Sequence, residues 1–202
     1  MPAFIIGIAG GSASGKSAIA RELRERLAPL TVHIINQDRH FHEADRLPTH
    51  PGRDGAHTWP DYNHPDSFDF PTLYRDLLRT RDGSADLLIL EGILVLHYPE
   101  LRSLMDLKLF VDTEADERIV RRIRRNLASG HRLDDICDFY LDSVRYRHRE
   151  FCEPTRVYAD LVIPGGRDDR AGAEGALADV CSRVRADLGS RGKPLPGEGQ
   201  QA

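Results

Sequence analysis

The sequence predicts an α/β fold, a single domain organised around a phosphate-binding loop. Gly10 to Ser17, GGSASGKS, fits the pattern G-x-x-x-x-G-K-[ST]. Before it, Phe4, Ile5, Ile6 and Ile8 read as a buried strand. After it, Ala18, Ile19, Ala20, Leu23 and Leu27 recur at helical spacing until Pro29 ends the run. Downstream, apolar and β-branched runs alternate with helical patterns. With 202 residues, 40% of them hydrophobic, the chain can bury one substantial core but is short for two domains. Residues 1–188 are assigned to that domain, and the tail 189–202, GSRGKPLPGEGQQA, is expected to be disordered.

The residue types of the loop suit a triphosphate. Glycines let successive backbone N–H groups curl around phosphate oxygens, so Gly10, Gly11, Ser12, Ala13, Ser14 and Gly15 form a cradle, and the following helix aims its positive end at it. Lys16 has the reach for the β/γ-phosphates, and the Ser17 hydroxyl is suited to ligate magnesium. The bulk composition narrows the partners. A formal net charge of −4 argues against nucleic-acid binding by phosphate neutralisation. Cys137, Cys152 and Cys181 are odd in number and lack C-x-x-C spacing, which reads as reduced thiols of a cytoplasmic protein. The N-terminus enters a strand with no basic lead, unlike a secretory signal. The longest apolar run, Leu87 to Leu96, is too short for a bilayer and is interrupted by Glu91, so no membrane partner is expected.

Taken in order, Thr31 to Asn36 reads as the second strand and empties into Gln37-Asp38-Arg39-His40. Asp38 thus follows the carboxyl end of a strand, where open parallel sheets gather ligands and a carboxylate can accept a hydroxyl proton; a turn-capping Asp is the plainer alternative. His42 to His64 has little periodicity and reads as a long loop folded over a site. Five of the nine histidines, His40, His42, His50, His57 and His64, lie in or beside it, but their spacing fits no helix-face or finger pattern for zinc.

Asp66 to Arg79 is expected to be helical, with Phe68, Leu73, Leu77 and Leu78 on its apolar side. Leu87 to Leu90 is a continuous apolar strand ending at Glu91, which is either an ordinary turn residue or, with Ser17 and Asp38, part of a magnesium site. Leu107 to Val111 is a further strand, followed by a helix from about Glu114 to Ala128. On that helix Ile119, Ile123 and Leu127 make an apolar line, while Arg118, Arg121, Arg122 and Arg125 line another face. Such a face is either solvated and paired with Glu114, Asp116 and Glu117, or it receives an anion. Asp134 to Glu150 continues helically, Asp160 to Pro164 is a last short strand, and Gly172 to Leu188 a closing helix.

Together the segments GIAGGSASGKS, NQDRHF, NHPDSFDF, LILEGILVL, MDLKLFVDTEADERIVRRIRRN and EFCEPTRVYADLVIPGG resemble the uridine kinase group of the phosphoribulokinase/uridine kinase family. The resemblance implies a P-loop kinase fold: a five-stranded parallel sheet wrapped by helices, with a mobile arginine lid. It also implies ATP as phosphoryl donor, Mg2+ as cofactor and a small nucleoside or riboside as acceptor, with a homo-oligomer left open. Carried over by position, Lys16 and Ser17 handle phosphates and magnesium, and Glu91 supports the metal. Asp38 is the base for the sugar 5′-hydroxyl, Arg122 contacts the ribose, and Arg125 and Arg132 belong to the lid, Arg125 as a catalytic group and Arg132 toward ATP. Tyr62 and Asn63 fall on the acceptor side.

Two departures bear on the acceptor. The family often reads FDHPDAFD, with an Asp for the ribose diol, where this chain reads YNHPDSFD with Asn63 in that place. Uridine kinases also carry a pyrimidine-recognising β-hairpin where Arg79 to Asp86 here makes a short turn. FIIGIAG and NQD are also similar to nicotinamide riboside kinases, which lack that hairpin. The expected activity is 5′-phosphorylation of a nucleoside, uridine or cytidine first. Alternatives are nicotinamide riboside, another small-molecule acceptor, or a nucleotide-dependent switch, although the chain has no N-K-x-D guanine motif.

Overall fold

The computed structural model describes residues 2–52, 55 and 57–192. Its centre is a parallel sheet of five strands: β1 (Phe4–Gly10), β2 (Val32–Asn36), β5 (Leu87–Glu91), β6 (Leu107–Asp112) and β7 (Leu161–Pro164), in the spatial order β2-β5-β1-β6-β7. Ile6 of β1 stands opposite Ile89 on one side and Leu107 on the other. Strands flanked on both faces need apolar side chains at every position, and all seven residues of β1 and all five of β5 are buried.

Alternation splits these side chains between two cores. Phe4, Ile6, Ile8 and Ile89 pack under α1 (Lys16–Arg26) and α7 (Arg170–Ser190), against Leu23, Leu177 and Val184. Ile5, Ala9, Leu88 and Leu90 face α2 (Phe70–Arg81) and α3 (Pro99–Arg102), against Leu73, Leu77 and Leu101. Beyond β6, α4 (Ala115–Ala128) leads to α5 (Leu133–Phe139), which continues through π-type turns on either side of the short α6 (Arg145–Arg147).

The structure revises several expectations. The helix expected from Asp66 begins at Phe70: His64 to Ser67 is spent on a single 3₁₀ turn, Phe68 bridges to Phe41, and the Asp69 carboxylate caps α2 by accepting from the Thr72 N–H at 3.1 Å. Within the loop expected from His42 to His64 lies an antiparallel hairpin, β3 (Thr49–Pro51) and β4 (Thr58–Pro60), with His50 opposite Trp59. Three-residue strands rich in Pro carry no period for the sequence to show. The closing helix starts at Arg170 and runs to Ser190, past the expected start of the tail; residues 193–202 of that tail lie outside the described residues. No helix among the described residues is long and apolar enough to cross a membrane.

Candidate functional site

The site lies at the carboxyl ends of β1, β2 and β5, where open parallel sheets bind ligands. β1 turns into the phosphate loop at Gly10, whose φ of 143° suits glycine and where a Cβ would press on the Val111 carbonyl of the neighbouring strand. The loop closes into α1 through Gly15, at φ 107°. Lys16 is buried, and its Nζ donates to the Gly11 carbonyl at 3.0 Å. Burial pushes its pKa down, while the negative charges of Glu91 and Asp38 oppose that push.

Glu91, the last residue of β5, is 3% exposed. Its Oε1 accepts from the Ser17 hydroxyl at 2.8 Å and from Asn36 Nδ2 at 2.7 Å. Burial raises its pKa, and the charge of Lys16 opposes the rise. Asp38, in the turn after β2, is exposed, and its N–H donates to Asn36 Oδ1 at 2.7 Å. Lys16, Ser17, Asp38, Glu91, Arg121 and Arg125 line one cleft of about 340 Å³. Ser17, Glu91 and Asp38 supply the hard oxygen donors that magnesium prefers. No cluster of three or more His, Cys, Asp or Glu side chains is gathered among the described residues.

On α4 Arg118 is 7% exposed and Arg121 and Arg122 are half-buried, whereas Arg125 is exposed and Leu127 is 45% exposed. Arg118 Nε donates to the Thr113 carbonyl at 3.0 Å. Arg121 clamps the phosphate loop from outside, donating to the carbonyls of Ser14 at 3.2 Å and Gly165 at 2.7 Å. Arg122 Nη1 donates to Ser12 Oγ at 3.1 Å, and burial together with Arg125 lowers its pKa to about 10. Arg125 donates to its neighbour Asn126 and faces the cleft.

Tyr62 and Asn63, expected on the acceptor side, do not line that cleft. Tyr62 is 41% exposed and meets Phe41 edge-on at 5.2 Å. Asn63 is buried, and with Ser12 and Arg147 it borders a void of only about 10 Å³. Arg132 is not brought to the site: its side chain is 78% exposed, 3.9 Å from Asp134. Sequence reasoning missed Asp61, fully buried and 2.6 Å from Arg147 Nε. An ion pair between residues this far apart, each of an ordinarily exposed type, leaves no local signal. As the sequence indicates, only the turn Asp82 to Asp86 joins α2 to β5.

A parallel sheet whose first strand runs through a glycine loop into a helix, with Lys16 and Ser17 facing two carboxylates, defines a P-loop α/β protein of the kinase type. The sequence profile of the phosphoribulokinase / uridine kinase family matches residues 5–85 and 55–171, and the chain belongs to that family. It is 33% identical to a uridine kinase of Clostridium botulinum (strain Langeland / NCTC 10281 / Type F), over 87% of this chain and 95% of that one. It is 39% identical to a uridine kinase of Bacillus subtilis (strain 168), over 80% and 86%. Among solved structures, a Silicibacter sp. TM1040 protein proposed to be a fructose transport system kinase shares the fold, with a TM-score of 0.60 and 22% identity over 81% of this chain and 90% of that one.

Proposed function

We propose that this protein is an ATP- and magnesium-dependent cytoplasmic kinase that transfers a γ-phosphoryl group to the 5′-hydroxyl of a nucleoside, with residues 1–188 as one catalytic domain. The carrying observation is the cleft that Lys16, Ser17, Glu91, Asp38 and Arg125 share: a phosphate-binding set on one wall and an exposed carboxylate at its mouth. Asp38 accepts the hydroxyl proton as the sugar oxygen bonds to the γ-phosphorus; the bond to the β–γ bridging oxygen breaks and ADP leaves. Lys16 and Arg125 stabilise the charge that spreads over the transferring group. Ser17, supported by Glu91, would hold magnesium, which would supply charge neutralisation at the phosphates.

The relatives' names favour uridine as acceptor, and cytidine is tested beside it as the other pyrimidine nucleoside. The bare turn from Asp82 to Asp86 favours a second reading, a riboside such as nicotinamide riboside that is bound without a pyrimidine-recognising hairpin. The test is ATP-dependent phosphorylation across uridine, cytidine, nicotinamide riboside and the purine nucleosides, with product identified by mass. One acceptor is expected to exceed the others in kcat/KM by at least about tenfold, corresponding to 1.4 kcal/mol of transition-state binding. ATP hydrolysis that no acceptor accelerates would end the kinase reading.

A further inference from the structure

Asp61 directly follows β4, and its side chain is fully buried with both oxygens committed. Oδ1 accepts the Asn63 N–H at 3.0 Å, the bond an Asp makes to its own chain two residues on, and Oδ2 accepts from Arg147 Nε at 2.6 Å. The backbone of Asp61 is held as well: its N–H donates to the Pro48 carbonyl at 2.8 Å, and its carbonyl accepts from the Ser67 hydroxyl. One carboxylate therefore fixes two residues from distant parts of the sequence, and those two meet again. Asn63 and Arg147 border, with Ser12 of the phosphate loop, the same niche of about 10 Å³, room for about one oxygen-sized group. Ser12 and Ile93 line both this niche and the cleft at Lys16, so the two spaces adjoin. Arg147 is spent on Asp61 and Glu150, and Ser12 on Arg122. Asn63 is 9% exposed, and its side-chain amide makes no hydrogen bond among the described residues. A buried amide is costly to leave unpaired, and it both donates and accepts, as a hydroxyl does.

We infer that Asp61 is a positioning residue for the acceptor: by holding the Asn63 backbone and the Arg147 guanidinium, it sets the Asn63 amide at the niche, where that amide binds one ring hydroxyl of a riboside. This rests on the kinase reading above and adds what the site demands of its acceptor, a sugar that carries that hydroxyl. A phosphate group is too large for a niche of about 10 Å³, so Asp61 acts on the acceptor and not on the donor.

The experiment assays the full chain with uridine, cytidine and nicotinamide riboside, and then with the 2′-deoxy and 3′-deoxy forms of whichever riboside is turned over. For the wild type, kcat/KM is expected to favour the riboside over one of its deoxy forms by at least about tenfold, because a site built around a hydroxyl rejects the analogue that lacks it. Asp61→Ala is expected to bring that ratio within about threefold while the KM of ATP stays within about twofold, and Asp61→Asn, which still accepts the Asn63 N–H, to recover most of the discrimination. Asn63→Ala, whose side chain has no partner to lose, is expected to collapse the ratio equally, and adding Asp61→Ala to it to change the ratio by no more than about twofold. Should Asp61→Ala fail to fold, Asn63→Ala and Asp61→Asn carry the test. A merely structural role would instead lower the melting temperature and move the kinetics of riboside, deoxyriboside and ATP together, leaving the ratio as it was. Equal use of riboside and deoxy forms by the wild type, or a ratio that survives either alanine variant, overturns the inference while the kinase reading stands. Absence of turnover with every riboside overturns the kinase reading, and the inference with it.

Discussion

Asp38 and Glu91 line the same cleft, and their surroundings divide their roles. Glu91 is 3% exposed, and one of its oxygens is committed to Ser17 and Asn36; Asp38 is exposed, with its carboxylate toward the cleft. A proton acceptor needs access to the incoming hydroxyl, which exposed Asp38 has and Glu91, at 3% exposed, lacks. Asp38→Asn is expected to leave ATP affinity within about twofold and lower kcat by at least about a hundredfold, the scale of losing a general base. Equilibrium binding and steady-state kinetics of the one variant check both halves; near-normal kcat would remove Asp38 from the chemistry. These positions were legible in the sequence because Glu91 directly follows the apolar run Leu87 to Leu90 and Asp38 comes just beyond the strand that ends at Asn36. The Asp61–Arg147 pair was not, because its partners meet only through the fold.

At the scale of elements, strands and covering helices were read close to their observed bounds, since burial on both faces of a parallel sheet writes continuous apolar runs. The hairpin of Thr49–Pro51 and Thr58–Pro60 and the late start of α2 were not legible, because Pro, Asp and His at those positions form turns without a repeating period. For α4 the period was legible, and the sequence left open whether its arginine face is solvated or receives an anion. Helical spacing tells which residues share a face and not what each residue meets: Arg121 lies over polar backbone and donates to the Ser14 and Gly165 carbonyls, whereas Arg125 stays exposed beside the cleft. These two should then separate experimentally. Arg121 holds the loop through carbonyls of Ser14 and Gly165, bonds from a charged donor that are worth about 1.5–3 kcal/mol each. Arg121→Ala is expected to raise the KM of ATP at least about tenfold. Arg125 bonds only its neighbour Asn126 among the described residues and faces the cleft, so Arg125→Ala should lower kcat while melting temperature and ATP affinity stay near wild type. Identical kinetic profiles for the two variants would contradict this division.

For the molecule as a whole, the junction between the phosphate loop and the last helical segment makes stability depend on pH. His148 is 14% exposed, and its Nδ1 is buried with no partner. It packs so closely on Gly11 that a Cβ there would stand 3.1 Å from its ring. Burial, then the charges of Arg118 and Lys16, push its pKa from 6.5 down to about 4. Glu153 lies 3.2 Å from Nε2 but is 44% exposed, so water screens its pull in the other direction. A depressed histidine pKa means that the unfolded chain binds the proton first. The contribution is whole above about pH 6.5 and is lost as pH falls toward about 4, amounting to about 3 kcal/mol at most. The urea midpoint of the wild type is therefore expected to fall between pH 7.5 and 5, and His148→Gln to flatten that fall. His97, whose pKa burial also lowers, contributes with the same sign, so the slope should shrink without vanishing. Parallel curves for the two proteins would show that the ring carries no such penalty. Since protonation adds a positive charge beside Lys16 and Arg118 under the loop, the same pH range should loosen the loop before the sheet unfolds. Hydrogen exchange at residues 11–15 would then rise ahead of exchange in β1 and β5.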